Sequence, residues 1–141
     1  MSENNSNNVF INGKQQIIEM LRYMPMNERN KLISNIRLRN ATMARELSEQ
    51  SLSYSDLDNL DEDKLALVLR TINPAVIGLA LYLSPRKFQR KCLGVLERTL
   101  AEKAYQIMTY DLSSKRTECE RAQQKILQSA IELVRKNVIN F

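Results

Sequence analysis

DEDKLALVLRTINPAVIGLALYLSPRKFQRKCLGVL, residues Asp61 to Leu96, is the stretch from which the rest of this chain is read. Leu65, Leu69 and Ile72 recur at helical spacing, as do Val76, Leu79, Ala80 and Leu83. Phe88, Cys92, Val95 and Leu96 repeat the pattern after Ser84-Pro85. Pro74 and Pro85 each suit the first turn of a new helix, where a missing N–H costs nothing. Three helices of about three turns cannot each bury an apolar stripe alone, so they must pack on one another and on neighbours. The stretch predicts the core of a right-angled helical stack.

Upstream, residues 1–13 are rich in Asn and Ser and unpatterned, which predicts a disordered tail. A first helix is predicted over Lys14–Met24, with Ile17, Ile18, Met20, Leu21 and Met24 inward and Pro25 ending it. Asn27 is the expected N-cap of a second helix carrying Leu32, Ile33 and Ile36. A third, from Ala41 to Glu49, offers Met43, Ala44 and Leu47. Ser51–Asp63 breaks the helical rhythm, with room for a short helix around Tyr54–Leu60. It ends in Asp61, Glu62 and Asp63, where the N-terminal end of a helix macrodipole favours negative charge, so it reads as the junction between two sub-units. Downstream, Glu97–Thr109 carries Leu100, Ala104, Ile107 and Met108, and Tyr110–Ser114 is a turn. The longest helix is predicted over Lys115–Asn137, with Ala122, Ile126, Ala130 and Leu133 widened by Leu127, Ile131 and Val134.

Composition agrees with an all-α reading. The chain has 141 residues, enough for a real core, and only three glycines and three prolines to interrupt helices. No apolar run reaches the roughly 20 residues needed to cross a bilayer. The start MSENNSNN has no secretory apolar region, so an intracellular, cytoplasmic chain is expected. The absence of histidine excludes Ser–His–Asp and Cys–His nucleophiles and the commonest zinc ligand. Cys92 and Cys119 both fall on apolar stripes and are expected as buried thiols. Gly13, Gly78 and Gly94 are isolated, so there is no phosphate-cradling loop. The acidic cluster Asp56, Asp58, Asp61, Glu62, Asp63 lacks the layout of a calcium loop. The reading names no catalytic residue, no metal and no cofactor, and the expectation is a non-enzyme.

The net charge is +5, and the cations concentrate in one run. Arg86, Lys87, Arg90, Lys91, Arg98 and Lys103 are relieved only by Glu97 and Glu102. Like charges at i, i+4 cost a few tenths of a kcal/mol per pair unless a partner neutralises them. The run is either a solvated face or a surface for an acidic protein or for phosphates. Nucleic-acid binding through Arg86–Lys103 is the alternative function. Phe88 alone interrupts the run, in an apolar slot, which does not make a single-strand stacking platform.

The order of these motifs resembles a known family. From Tyr54 to the C-terminus the chain resembles the repeated helical unit of the flagellar motor switch protein FliG. The resemblance rests on Tyr54-Ser55-Asp56, Leu60-Asp61, Leu65 to Leu69, Ala80-Leu81 and Glu120-Arg121-Ala122-Gln123. Residues 73–93 also resemble the family's middle unit, and MLRYMPMNERNKLISNIRLRNATMARELSEQ the second half of a preceding unit. The resemblance implies an all-α, armadillo-like right-handed stack of about seven or eight helices in one and a half repeat units. Residues 14–50 would be the half-unit and 54–141 the full unit, within one helical domain over 14–141. It further implies a scaffold that stacks helix on helix, either with another copy or with flagellar switch-complex subunits, at the periphery of the basal body.

Departures from the family pattern are equally specific. The Glu-His-Pro-Gln signature that in the family helps bind the rotor protein FliM reads Ile72-Asn73-Pro74-Ala75, keeping only the proline. The Gly-Gly-Pro-Gly linker is absent. Tyr82, Thr99, Gln106, Ile107 and Lys115 align with the family's stator-facing charges, and only Lys115 keeps its charge. The length leaves no room for the domain that docks the membrane ring, so the resemblance implies a truncated or divergent relative. The expected partner contacts are Pro74, Arg86, Lys87, Arg90, Lys91 and Lys115. To these the reading adds Ile17, Leu21, Leu32 and Ile36, an apolar face left open if no half-unit precedes it.

Overall fold

The structure, a computed structural model, describes the backbone of residues 2–141 and the side chains of residues 13–141. Those residues form eight α-helices and two short 3-10 turns, with no strand among them, so the fold is all-α. They divide into two compact units, Met1–Ser53 and Tyr54–Phe141.

Unit 1 holds α1 (Ser2–Tyr23), α2 (Met26–Arg39) and α3 (Ala41–Gln50). The helical backbone of α1 starts before Lys14 and runs through the segment expected as a tail, whose side chains up to residue 12 lie outside the described residues. Pro25 ends α1 and is itself the N-cap of α2. Asn27, expected to cap, therefore falls inside the first turn, where its Oδ1 accepts from the Glu28 N–H at 3.0 Å. A side-chain cap does open α3, since Asn40 accepts from the Met43 N–H at 3.1 Å. The three helices close on Ile18, Leu21, Ile33, Ala44 and Leu47, with Met24, Leu32, Ile36 and Met43 packed against them.

One buried cation ties the ends of this unit. Arg29 is 2% exposed. Its guanidinium donates to the Arg22 and Met24 carbonyls at 3.2 and 3.1 Å, and to the Ser51 carbonyl at 3.4 Å. The last carbonyls of a helix have no intrahelical donor and carry partial negative charge. A planar five-donor group therefore serves the C-termini of α1 and α3 together. Arg22 adds a bond to the Gln50 carbonyl at 3.0 Å, and Lys14 pairs with Glu46 across α1 and α3 at 2.6 Å.

Unit 2 opens with a 3-10 turn over Tyr54–Asn59, followed by α4 (Glu62–Leu69), α5 (Pro74–Tyr82), α6 (Arg86–Val95) and α7 (Arg98–Met108). A second 3-10 turn, Ser113–Lys115, leads into α8 (Arg116–Arg135). Asp61 caps α4 through the Lys64 N–H at 2.9 Å, and Asn73 caps α5 through the Ala75 N–H at 2.9 Å. Pro74 sits in the first turn of α5, as its spacing predicts. The chain bends by 119° between α4 and α5. α5 is apolar on nearly every side, so it must be covered on nearly every side, and α7 and α8 pack against it.

The tightest contact lies at Gly78. A Cβ there would stand 2.5 Å from the Ala104 carbonyl oxygen and 2.7 Å from Ile107 Cβ. At its other end, α5 has its last carbonyls satisfied by side chains. Gln89 Nε2 donates to the Leu81 carbonyl at 2.7 Å, while Ser84 Oγ and Gln123 Nε2 donate to that of Ala80 at 2.8 and 3.0 Å.

α8 ends in a left-handed turn at Asn137 (φ 59°), with the Asn137 N–H on the Val134 carbonyl and the Val138 N–H on the Leu133 carbonyl. This reversal returns Ile139 to the core and brings Asn140 to Lys64, whose Nζ donates to its Oδ1 and backbone oxygen at 2.8 and 3.2 Å.

The two helical glycines in unit 2 should respond oppositely to a methyl group. Gly78→Ala is expected to cost about 1–3 kcal/mol, because the obstacle is backbone and cannot rotate away. Gly94 has nothing within 4 Å of the same position. Gly94→Ala is expected to add about 0.5–1 kcal/mol through helix propensity. Urea unfolding midpoints moving in opposite directions would show this.

Candidate interaction surfaces

The basic run does not form one face. On α6 the inward residues are Phe88 and Cys92, 5% and 1% exposed, which turns Arg86, Lys87 and Arg90 to water. None of these three has an ion pair among the described residues. Lys91, one residue on, turns inward instead. Its Nζ donates to the Asp58 and Leu60 carbonyls at 2.8 and 2.6 Å and lies 3.6 Å from Asp58 Oδ1. Lys91 thus caps the end of the Tyr54–Asn59 turn with its ammonium already bonded within the chain. Arg98 and Lys103 belong to a different helix, α7, where Arg98 pairs with Glu102 at 3.2 Å in full solvent. Lys115 is exposed in the second 3-10 turn. A continuous Arg86–Lys103 face, the basis of the nucleic-acid reading, is therefore broken at Lys91 and at the turn between the helices.

The hydroxyl and thiol groups nearest the core are structural. The Tyr54 ring packs edge-on against Phe88 with centroids 5.6 Å apart. Ser84 gives its proton to the Ala80 carbonyl, so Tyr54 donates to Ser84 Oγ at 3.0 Å. Burial pushes the Tyr54 hydroxyl well above its ordinary range, and the Cys92 thiol up to about 12. Both are neutral at pH 7, and a protonated thiol is not a nucleophile. Among the described residues no three carboxylate or thiol groups converge as a metal cage.

A shallow groove of about 510 Å³ runs between the N-terminus of α5 and α7, lined by Asn73, Pro74, Ala75, Leu100, Lys103, Gln106 and Ile107. Leu100, Lys103 and Ile107 recur at i, i+3 and i+7 and so share one side of α7. The groove brings Pro74 beside Gln106 and Ile107. Leu100 is an addition that the sequence reading does not place in a site, and Lys103 enters there only as the end of the basic run.

On unit 1 the expected apolar face is displaced around the helix. Leu21 is 0% exposed, because α2 and α3 fold over that side of α1 and seal the half-unit's own core. Leu32 and Ile36 are half-buried against the same core. Ile17 remains at its edge, 38% exposed. The apolar groups in water are instead Met20 at 50%, Tyr23 at 90% and Leu38 on α2 at 87%. Met20, inward by its spacing, is thus outward in the structure.

The family model of the FliG C-terminal domain matches residues 34–141. No curated protein matches the chain. Among solved structures, FliG residues 116–343 from H. pylori superpose with a TM-score of 0.69 at 22% identity, covering 88% of this chain and 55% of that one. A longer piece of the same protein, residues 86–343, gives 0.61 at 22% identity over 89% and 59%. Full-length FliG from Aquifex aeolicus gives 0.59 at 16% identity over 91% and 40%. The likeness at these identities is one of fold. The chain spans about half the length of the solved structures that it matches.

Two outcomes follow from the local chemistry. Lys91→Met is expected to destabilise by about 1.5–3 kcal/mol, since it removes a cation's bonds to two carbonyls. Arg90→Met should stay within about 0.5 kcal/mol of the parent, and chemical denaturation of both variants checks the contrast. The raised Cys92 pKa adds a pH dependence. Its protonated form is favoured by folding, so that contribution is intact below about pH 9 and lost as pH rises towards about 12. Urea midpoints between pH 8 and 11 should fall less steeply for Cys92→Ala than for the parent.

Proposed function

Because the chain belongs to the FliG C-terminal domain family, we propose that it is a non-enzymatic protein-interaction component of the flagellar motor switch kind. It acts by helix-on-helix contact with protein partners, either switch-complex subunits or a second copy of itself, at the cytoplasmic face of the basal body. No single helix among the described residues is long and apolar enough to cross a membrane.

The observation that carries this reading is the exposed side of α1. Met20 and Tyr23 are one helical turn apart on the side away from the unit 1 core, with Ile17 a turn earlier at the margin. A tyrosine 90% in water beside a half-exposed methionine presents much apolar area that a partner helix would cover. The core behind it is closed without any partner, so the unit offers a firm ridge for docking. The face is therefore Ile17, Met20 and Tyr23, with Leu21 supporting it from beneath.

Sedimentation velocity over a micromolar to millimolar concentration series tests the self-associating form. The weight-average mass should rise with concentration, and Tyr23→Glu or Met20→Lys should return it to that of one chain. A wild-type chain that stays monomeric throughout would overturn self-stacking.

A further inference from the structure

We propose that the outward ridge of α6, formed by Arg86, Arg90 and Gly94, is the seat of an acidic helix from a partner protein. The proposal rests on the protein-interaction reading above. It shares no residue with the α1 face, and holds whether or not that face self-associates. None of Tyr82, Thr99, Gln106, Ile107 and Lys115 lies on α6, so the surface is separate from the positions that align with the family's stator-facing charges.

Geometry comes first. Arg86, Arg90 and Gly94 recur at i, i+4 and i+8, which makes them one of the inclined ridges by which helices interlock. All three are exposed, and the ridge runs about 12 Å along the helix. Phe88 and Cys92 fix its direction, because they are buried on the opposite side.

Both ends of this ridge are costly to the free chain. α6 reads RKFQRKCLGV, with no carboxylate, and Glu97 comes only after the helix ends. Lys91 has its bonds within the chain. Arg86, Lys87 and Arg90 are left without an ion pair among the described residues, near the end of the helix where the macrodipole is already positive. At the other end, a glycine inside a helix forgoes the propensity that alanine would supply. Gly78 has a steric reason for that loss in the Ala104 carbonyl. Gly94 has none, since nothing lies within 4 Å of where its Cβ would stand. A partner helix supplies both missing reasons. Its carboxylates would meet the two guanidiniums, and its backbone would settle over the bare position.

The ridge selects a protein among anionic partners. No large apolar side chain is exposed on α6, so nothing there anchors the helix in a bilayer. The next cations along the chain are engaged, Lys91 with the Asp58 and Leu60 carbonyls and Arg98 with Glu102. What remains is too short a track for a nucleic-acid backbone. Two arginines one turn apart match instead two carboxylates one turn apart on a facing helix, each able to take a two-pronged bond.

The probe is an alanine-rich helical peptide of about 20 residues carrying two Glu residues one turn apart. Its binding to the full chain is read by fluorescence anisotropy at low salt. Arg86→Gln and Arg90→Gln are each expected to weaken binding roughly ten-fold. Gly94→Gln alters no charge, yet should weaken it about as much while leaving the urea midpoint at or above that of the parent. Lys125→Gln removes an exposed charge on α8 and should change binding by less than about two-fold. A peptide with Gln in place of both Glu residues should bind about ten-fold more weakly.

If Gly94→Gln leaves the affinity unchanged, the peptide is held by diffuse charge and no helix lies on the ridge. A loss from Lys125→Gln equal to that from Arg90→Gln overturns the assignment in the same way. Anionic phospholipid vesicles or a short DNA duplex that bind more tightly than the peptide, and lose that binding with Arg86→Gln, make the ridge a phosphate surface and the proposal wrong. A peptide that does not bind at all overturns it as well. Sedimentation of the same chain reads the α1 face and is independent of all these outcomes.

Discussion

Unit 2 is organised around keeping α5 out of water. This helix has nine residues, too few to hold a helical shape alone, and has almost no polar side to offer solvent. Burying it on all sides creates a second requirement. The backbone groups at its last turn enter a region of scarce water and must be bonded there, or each one costs more than an apolar contact returns. Gln89, Ser84 and Gln123 meet the requirement, while Asn73 caps the first turn. Asn73 and Ser84 flank the helix in sequence, whereas Gln89 and Gln123 come from α6 and α8, so those two bonds form only with the packing that shelters it. The glycine in its middle admits α7 to backbone distance and completes the enclosure.

This arrangement explains what the resemblance to the FliG unit is made of. Ala80-Leu81 and Ala122-Gln123 look like two separate sequence signatures 42 residues apart. In the structure they are one contact: Ala122 is buried in the core and Gln123 bonds the Ala80 carbonyl. The family's recurring positions in this chain are therefore the pieces of a cap on a buried helix. They carry the fold. The family model matches residues 34–141, which include all of these positions.

The helices are legible because their apolar residues recur at helical spacing and prolines separate them. The direction each side chain takes is less so. Ile17, Ile18, Met20, Leu21 and Met24 together span an arc of about 160° on α1, and spacing alone does not say which edge of it α2 and α3 cover. Leu21 is inside and Met20 outside for that reason. Lys87 and Lys91 sit one turn apart with the same chemistry, yet only Lys91 has carbonyls of the Tyr54–Asn59 turn within reach. Arg29 lies in the polar run Asn27-Glu28-Arg29-Asn30-Lys31, where nothing local marks it as the cation that binds two helix ends. Both cations use carbonyls of segments distant in sequence, Lys91 those of Asp58 and Leu60 and Arg29 that of Ser51, which a periodic pattern does not encode. The groove is half visible for the same reason, since α7 shows its wall and nothing in the chain announces that Pro74 faces it.

The close approach at Gly78 has a mechanical consequence. Where a glycine lets a neighbouring helix's carbonyl and the root of its Ile107 side chain approach the backbone, the spacing of the two helices is set by hard contact. Pro74 on one and Ile107 on the other are thereby held like the jaws of a fixed gauge. A guest fitting between them would find the opening already set and would give up only its own freedom on entry.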